Sequence, residues 1–180
     1  MRNHITKDSW IDDLVLPEYL EPDLQQIWNL HSKKPTFVRV FGKVYQSPRY
    51  EQSYKKVSIP EYLLPIFNWA NQTEYGPFTD MLVNLYENGH NYIAKHRDNE
   101  SYLVPDSPIL SISFGANRKL RIRNYKTNQI IQDISMPHGT VLVMGGKFNT
   151  ELTHEVPKIM GRKGEKVDMR INITFRQYKV

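Results

Sequence analysis

Apolar and polar residues alternate with a two-residue period over most of the second half of the chain. After Gly76-Pro77, short runs rich in β-forming residues follow one another, separated by turn-forming pairs such as Asn-Gly and Gly-Gly. The runs are DMLVNLYE, NYIAKH, PILSISFG, RKLRIRNY, NQIIQDISM, GTVLVMGG, ELTHEV and MRINITFRQY. About eight strands at this spacing are typical of a sandwich or barrel, and we predict a mainly β, jelly-roll architecture.

The first 76 residues follow a different pattern. Apolar residues at helical spacing predict a helix in EPDLQQIWNLHSKKP (21–35), with Pro22 and Asp23 in its first turn. A second short helix is predicted in PEYLLPIFNWANQ (60–72), interrupted near Pro65. Between them, TFVRVFGKVYQSPRY alternates around Gly42-Lys43, which predicts a hairpin. We predict one domain, 1–180, in which residues 1–76 form helices and the hairpin and residues 77–180 form the β core.

Composition narrows the possible chemistry. The chain has 180 residues, a formal net charge of +5 and no cysteine, so disulfides, thiolate metal sites and a cysteine nucleophile are excluded. The modest basic excess suits a polyanionic partner but is also common in ordinary soluble proteins. The N-terminus lacks an apolar signal region and no run is long enough to span a bilayer. We expect a soluble intracellular protein, in the nucleus or cytoplasm.

The stretch YIAKHRDNE contains a candidate metal site. His96 and Asp98 stand at positions i and i+2, which lie on the same face of an extended chain. His154, in the strand-like ELTHEV, is the candidate third ligand. Two imidazoles and one carboxylate suit non-haem Fe(II) that must also take a cosubstrate and dioxygen. An isolated His-x-Asp is more often an ordinary polar strand end, so the metal site needs support from another part of the chain.

The C-terminal strand carries a second signal. Alternation in RINITFR places four polar residues on one face and three apolar residues on the other: Arg170, Asn172, Thr174 and Arg176 against Ile171, Ile173 and Phe175. Two arginines inside a barrel need anionic partners, because an unpaired buried charge is costly. A dicarboxylate cosubstrate is one such partner, and Asp98 or Glu100 is another. Arginine suits this role because its planar fork binds a carboxylate through two hydrogen bonds.

Taken together, these segments resemble the AlkB-type Fe(II)- and 2-oxoglutarate-dependent dioxygenases. The matching pieces are NLYENGHNYIAKHRDNE, SPILSISFGANRKLRIRN, HGTVLVM, THEVPK and RINITFR, in the family's order and covering most of residues 80–176. The resemblance implies a double-stranded β-helix. It implies iron ligands at His96, Asp98 and His154, with Arg170 on the distal carboxylate of 2-oxoglutarate. The remaining cosubstrate-pocket residues that it implies are Asn84, Tyr86, Thr174 and Arg176. The alternatives are a core position for Tyr86 and a turn-forming role for Asn84.

The segment VRVFGKVYQSPRYEQSY resembles the substrate-recognition hairpin of AlkB enzymes that repair duplex DNA. The resemblance implies that Phe41 lies at the tip beside Gly42 and Lys43, where an apolar wedge fills the gap left by an extruded base and lysine holds phosphate. The alternative is that Phe41 packs under the hairpin as core. Tyr54 matches a tyrosine of the family's base pocket, with a plain surface or core role as the alternative. Glu100 is placed to hydrogen-bond the exocyclic group of the base.

Two departures from the duplex-repair members stand out. Asn99 replaces an acidic residue that is often found there, and KKVSIPEY after Tyr54 is shorter than the family segment that supplies a stacking aromatic. The base preference and the aromatic partner of the base are therefore not predicted.

Basic residues form two further groups. We expect Arg162 and Lys163, in GRKGEK, to lie near the mouth of the site and hold the strand opposite the damaged base. A second group in RKLRIRNYK forms either a solvated face or a nucleic-acid contact: Arg118, Arg121 and Arg123.

The sequence thus predicts oxidative demethylation of bases such as 1-methyladenine and 3-methylcytosine in DNA, with release of formaldehyde and succinate. Fe(II), 2-oxoglutarate and dioxygen would be required. The partner would be double- or single-stranded DNA with alkylated bases, and we expect a monomer without membrane contact. The alternatives are an oxygenase of methylated RNA or protein, and a non-catalytic nucleic-acid-binding module with the same barrel.

Overall fold

The computed structural model describes residues 2–40, 42–160 and 166–179, with only the backbone for residues 38–40. Its strands are β1 Arg2–His4, β2 Ser9–Val15, β3 Phe37–Val40, β4 Lys43–Gln46, β5 Tyr50–Lys55, β6 Asp80–Tyr86, β7 Ile93–His96, β8 Ile109–Gly115, β9 Arg118–Asn124, β10 Ile130–Met136, β11 Thr140–Gly146, β12 Leu152–Val156 and β13 Arg170–Arg176. Its α-helices are α1 Leu24–Leu30, α2 Leu64–Gln72 and α3 Phe148–Glu151.

The strands form two main sheets and a separate hairpin. The large sheet has the order β1-β2-β11-β8-β13-β6-β5, and the small sheet has the order β10-β9-β12-β7. Neighbouring strands are antiparallel. All of the strands predicted after Gly76-Pro77 are present, and the two sheets confirm the predicted jelly roll.

The central strands of the large sheet are buried on both faces. On one face, Ile171, Ile173 and Phe175 of β13 pack with residues of α1 and α2. On the other face, apolar residues of β8 and β11 meet residues of β9 and β12 from the small sheet in a second cluster. Every residue of β13 is consequently buried, including its two arginines. The alternation predicted for this strand therefore separates an apolar face from a polar face that points between the sheets.

The helices begin close to the predicted positions but differ in extent. The Asp23 side chain caps α1 by accepting a 3.0 Å hydrogen bond from the Gln26 N–H. The helix ends at Leu30, short of the predicted residue 35, because His31 is already extended. Pro65 lies in the first turn of α2, where the missing N–H costs no hydrogen bond, so it begins this helix rather than interrupting it. No helix in the described ranges is long and apolar enough to cross a membrane.

Three strands before Gly76 were not predicted. Both β1 and β2 extend the large sheet at one edge, and β5 forms the other edge beside β6. The two adjacent acids Asp12 and Asp13 interrupt the apolar pattern of β2, so the sequence does not indicate a strand there. In the structure Asp12 is buried. It accepts hydrogen bonds from Arg2 at 2.9 Å and from the Tyr75 hydroxyl at 2.7 Å. Burial alone raises the pKa of Asp12, but these donors hold it below its ordinary value, so the carboxylate stays ionised inside the sheet.

Candidate active site

Three predicted ligands converge at one end of the small sheet. His96 ends β7, and His154 is paired directly opposite it on β12. Their ring centroids are 4.3 Å apart, and His96 Nε2 lies 3.5 Å from Asp98 Oδ1. One ligand atom of each residue lies within 4.8 Å of the others. This His-Asp-His cluster has the spacing that a single metal ion requires.

The cluster is in the protonation state that binds metal. Burial would raise the pKa of Asp98, but the Arg176 charge and both imidazoles lower it to about 2. Burial, together with the neighbouring His96, lowers the pKa of His154 to about 3. His96 Nδ1 lies 2.8 Å from the Ala94 carbonyl oxygen, and a proton held there leaves Nε2 free on the side of Asp98. At neutral pH the site therefore offers one carboxylate and two neutral imidazoles, which are the forms that coordinate a metal.

A cavity of about 480 Å³ joins the His-Asp-His cluster to the polar face of β13. Arg170 lines this cavity and is only 1% exposed. Its Nη2 donates to Ser113 Oγ at 2.8 Å, whereas its Nε and Nη1 have no hydrogen-bond partner among the described residues. Burial lowers the pKa of Arg170, but a guanidinium remains charged at neutral pH. A buried, half-satisfied cation in a cavity is suited to bind the carboxylate of a small ligand, and 2-oxoglutarate fits that requirement.

The other predicted cosubstrate residues surround Arg170 on the same face. The Tyr86 ring centroid lies 4.9 Å from the Arg170 guanidinium carbon. The Asn172 amide oxygen accepts from Asn84 Nδ2 at 3.3 Å and from Thr174 Oγ1 at 3.1 Å. The structure therefore brings together all of the residues that the resemblance implied for the cosubstrate pocket, and adds Asn172 as their shared partner.

Arg49 is a cavity residue that the sequence analysis missed. Its Nε donates to Asn84 Oδ1 at 2.7 Å, and its Nη2 lies 2.6 Å from Glu51 Oε2. Both Arg49 and Glu51 line the cavity beside Asn84. Only the pairing of β5 with β6 brings them there, so no local pattern identifies Arg49 in the sequence.

The second buried arginine has an internal partner. Arg176 donates from Nε and Nη2 to Asp98 Oδ2 at 3.1 and 3.0 Å. Of the two acids considered from the sequence, Asp98 rather than Glu100 therefore neutralises it. Burial lowers the pKa of Arg176, but the charges of Asp98, Tyr178 and Glu100 and the hydrogen bond to Asp98 together outweigh burial, and the net shift is upward. The contact leaves Asp98 Oδ1 facing His96, so Arg176 orients the carboxylate for the metal position.

Of the predicted substrate-binding residues, some lie at the cavity or on the hairpin, and others lie outside the described residues. Glu100 lines the mouth of the cavity. Gly42 forms the turn of the β3–β4 hairpin with a φ of +78°, a conformation that glycine adopts without strain, and Lys43 is exposed next to it. Phe41, Arg162 and Lys163 lie outside the described residues, and their roles stay predictions from the sequence.

Tyr54 does not line the cavity. Its side chain is buried in the apolar cluster beneath the helices, and its hydroxyl lies 3.3 Å from His31 Nδ1. Side chains alternate along β5, so Glu51 and Ser53 face the cavity while Tyr54 faces the helices. The core role that the sequence left as an alternative is the one observed, and the prediction of a base-pocket role is wrong.

The arginines of β9 do not form an open cationic surface. One of them is buried, and the other two are paired with acids. Arg118 is buried and donates from Nη2 to the carbonyl oxygens of Asn91 at 2.8 Å and Pro157 at 2.7 Å. These two residues adjoin β7 and β12, so Arg118 ties together the strands that carry the two histidines. Arg121 and Arg123 form ion pairs with acids on neighbouring strands: Asp133 at 2.8 Å and Glu155 at 2.9 Å.

A jelly roll in which a His-Asp-His cluster shares a cavity with a buried arginine is the arrangement of iron oxygenases that use a dicarboxylate cosubstrate. Comparison with known families agrees: residues 17–176 match the 2OG-Fe(II) oxygenase superfamily, and the chain belongs to that family. This match covers strands β3 to β13 and includes the His-Asp-His cluster and Arg170.

Several relatives support a narrower placement within the family. The chain is 29% identical to the DNA oxidative demethylase ALKBH2 of Mus musculus over 162 residues, which cover 78% of this chain and 66% of the relative. It is 29% identical to the ALKBH2 of Homo sapiens over 161 residues, which cover 78% of this chain and 60% of the relative. The Alpha-ketoglutarate-dependent dioxygenase alkB homolog 3 of Bos taurus is 31% identical over 122 residues, which cover 63% of this chain and 41% of the relative.

A solved structure shows the same fold. The structure of OsALKBH1 superposes with a TM-score of 0.63 at 17% sequence identity, covering 99% of this chain and all of that one. The chain spans about two thirds or less of the length of the ALKBH2 relatives it matches. Together, these similarities confirm the predicted resemblance to AlkB-type dioxygenases.

Proposed function

We propose that this protein is an Fe(II)- and 2-oxoglutarate-dependent dioxygenase that demethylates alkylated bases in DNA, such as 1-methyladenine and 3-methylcytosine. One observation carries the proposal: the incompletely paired guanidinium of Arg170 lies in the same buried cavity as the His-Asp-His cluster. A metal-binding cluster alone would suit many enzymes. A cluster that shares its cavity with a buried guanidinium has the two binding sites that an oxygenase with an oxoacid cosubstrate requires.

The residues divide the work between holding iron and holding cosubstrate. His96, Asp98 and His154 would hold Fe(II), which when bound supplies the activation of dioxygen that accompanies conversion of 2-oxoglutarate to succinate and carbon dioxide. Arg176 keeps Asp98 ionised and oriented. Arg170 would pair with the distal carboxylate of 2-oxoglutarate, where its fork gives both charge and direction. Asp98, His154 and Arg170 are buried, so the reacting groups would lie in a partly enclosed site.

The overall reaction balances without a conventional general base. One oxygen atom of dioxygen enters succinate and the other converts the N-methyl group to N-hydroxymethyl, which leaves as formaldehyde and restores the N–H or lone pair of the base. The role left to the protein is to position the methyl group, and Glu100 at the cavity mouth would accept a hydrogen bond from an exocyclic amino group of the base.

Two features support a nucleic acid as the substrate. The matched relatives include proteins named as DNA oxidative demethylases. The β3–β4 hairpin also exposes apolar side chains, among them Phe37 and Val44, in a chain with a net charge of +5. An apolar, protruding hairpin on a basic protein suits insertion beside stacked bases.

The proposal is tested by incubating the protein with Fe(II), 2-oxoglutarate, oxygen and an oligonucleotide that contains 3-methylcytosine. We expect equal amounts of formaldehyde, succinate and restored cytosine. Asp98→Ala should reduce all three below detection while the circular-dichroism spectrum stays unchanged, because loss of the carboxylate removes a metal ligand. Asp13→Ala, which removes an exposed carboxylate on β2, is the matched control and should retain full activity.

Other results would point elsewhere. Wild-type levels of succinate from Asp98→Ala would refute the metal assignment. Demethylation of matched RNA or of a methylated peptide, with none of DNA, would favour the alternative substrates. Binding of oligonucleotides with no succinate formed under any condition would identify a non-catalytic binding module.

A further inference from the structure

Two tyrosines that the sequence analysis did not single out lie at the mouth of the active-site cavity. Tyr102, in the loop after β7, and Tyr178, just after β13, both line the cavity together with Glu100. Their ring centroids are 4.7 Å apart, with an interplanar angle of 58°. We call this pair of rings the aromatic wall.

The aromatic wall is fixed by backbone hydrogen bonds on both sides. An isolated bridge pairs Leu103 with Tyr178, and the Lys179 N–H donates to the Tyr102 carbonyl oxygen at 2.7 Å. The Tyr178 N–H donates to Thr79 Oγ1 at 2.8 Å. The backbone positions of the two tyrosines are thus set before any ligand binds, which lowers the entropy cost of recognition.

Core packing does not explain the position of these rings. The Tyr102 side chain is 53% exposed, and neither tyrosine belongs to the apolar clusters of the core. Burial raises the pKa of Tyr178, so its hydroxyl stays neutral at physiological pH. A neutral, accessible aromatic surface on a hydrogen-bonded backbone, at the entrance of a polar cavity, is a suitable surface for a flat ligand.

The other tyrosines near the cavity are not available for stacking. Within the described residues, Tyr86 lines the cavity but is buried against Arg170. Tyr54 belongs to the core. The turn Lys56–Ser58 that follows β5 adds no residue to the cavity lining. The aromatic wall is therefore the tyrosine surface that faces an incoming ligand in the described part of the chain.

We propose that Tyr102 and Tyr178 form the surface against which the extruded alkylated base stacks, beside the carboxylate of Glu100. This inference rests on the proposed function. A base methylated at a ring nitrogen that normally carries no proton, as in 1-methyladenine or 3-methylcytosine, is cationic at neutral pH. The electron-rich face of tyrosine attracts a flat cation, and a neighbouring carboxylate adds to that attraction. The aromatic wall thus selects methylated over unmethylated bases.

The inference is tested by equilibrium binding to the complete enzyme without turnover. The protein is loaded with Fe(II) and 2-oxoglutarate under anaerobic conditions, and fluorescence anisotropy follows a labelled single-stranded oligonucleotide that carries one 3-methylcytosine. A single strand separates stacking from the cost of opening a duplex. We expect Tyr102→Leu and Tyr178→Leu each to weaken binding of the methylated strand roughly tenfold, the usual value of one base-aromatic stack. Binding of the unmodified strand should change little.

Two further variants test whether the loss of binding comes from loss of stacking on the aromatic wall. Tyr102→Phe keeps the ring and should bind like the wild type, whereas a loss equal to that of Tyr102→Leu would overturn stacking as the mechanism. Tyr19→Leu removes a tyrosine that is 81% exposed and does not line the cavity, and it should have no effect. Thermal stabilisation by 2-oxoglutarate, measured for every variant, shows that the cavity is intact.

Formaldehyde release by the wild-type enzyme, measured in parallel under air, separates this inference from the proposed function. If the wild type demethylates the oligonucleotide and both leucine variants bind it unchanged, the aromatic wall is refuted and the proposed function stands. If the wild type neither prefers the methylated strand nor demethylates it, both proposals fail.

Discussion

The two buried arginines of β13 show how one residue type serves two purposes. Arg170 and Arg176 lie on the same face of the same strand, and both are buried. Arg176 is neutralised within the protein by Asp98, whereas Arg170 has only the Ser113 hydroxyl and the Met136 sulfur as hydrogen-bond acceptors among the described residues. A buried cation costs free energy unless an anion accompanies it. The charge of Arg170, which has no anionic partner among the described residues, therefore favours binding of a carboxylate ligand.

Arg170→Lys should weaken 2-oxoglutarate binding roughly ten- to hundredfold, because lysine keeps the charge but loses the two-pronged donor geometry. Isothermal titration of the Fe(II)-loaded protein with 2-oxoglutarate under anaerobic conditions measures the change. Arg121→Lys is a matched control, since Arg121 makes a similar paired contact with Asp133 away from the cavity. Unchanged affinity in Arg170→Lys would place the cosubstrate carboxylate elsewhere.

The β3–β4 hairpin stands apart from both sheets. Within the described residues its two strands pair only with each other, and its described side chains include the exposed Phe37, Val44 and Tyr45. A lone hairpin is marginally stable in water and gains little from exposing apolar surface. Such an element is better explained by what it contacts than by what it contributes to the fold.

Phe41→Ala tests the hairpin as a base-extruding element, although Phe41 itself lies outside the described residues. Extruding a base from a duplex costs a few kcal/mol, and a single strand has already lost most of that constraint. Demethylation of duplex DNA should therefore fall more than about tenfold, and that of the matched single strand only slightly. Equal losses on both substrates with a lower melting temperature would identify Phe41 as a core residue. Full activity on both would remove the hairpin from the mechanism.

The helical layer packs against one face of the large sheet through the larger apolar cluster. His31, at the end of α1, is only 2% exposed and contacts the hydroxyl of Tyr54 on β5. Burial lowers the pKa of His31 to about 4, and the nearby Lys33 acts in the same direction. The folded protein thus holds a neutral imidazole where the unfolded chain would take up a proton below its ordinary pKa near 6.5.

This contact makes stability depend on pH. The contribution of neutral His31 is fully present above pH 6.5 and is lost as the pH falls toward 4, because only the unfolded state gains a proton in that range. The wild type should lose unfolding free energy when the pH falls from 7 to 4.5. In His31→Gln this loss should be smaller by on the order of 2 kcal/mol, after allowance for solvent screening. Urea unfolding at the two pH values measures it. Because His96 and His154 also stay neutral when buried, the comparison with wild type isolates His31. An identical pH response in both proteins would contradict the assignment.

Features that depend on local periodicity can be predicted from the sequence without the structure. Alternation over five to eight residues predicts each barrel strand and the two faces of β13, because side chains of a strand point to opposite sides whatever lies around them. The i, i+2 spacing of His96 and Asp98 is fixed in the same way. Motif order then suffices for the AlkB-type resemblance and for the residues that would hold iron and cosubstrate.

Tertiary structure alone decided which residues meet across long stretches of chain. Asp98 and Arg176 are 78 residues apart in sequence, and Leu103 and Tyr178 are almost as far apart. No local pattern pairs the members of either pair. Burial of Arg118, the inward turn of Tyr54 and the addition of β2 and β5 to the large sheet have the same origin. Each places a polar or aromatic group where its partners come from distant strands. The free energy of such contacts depends on burial and on partner geometry, which a linear sequence does not contain.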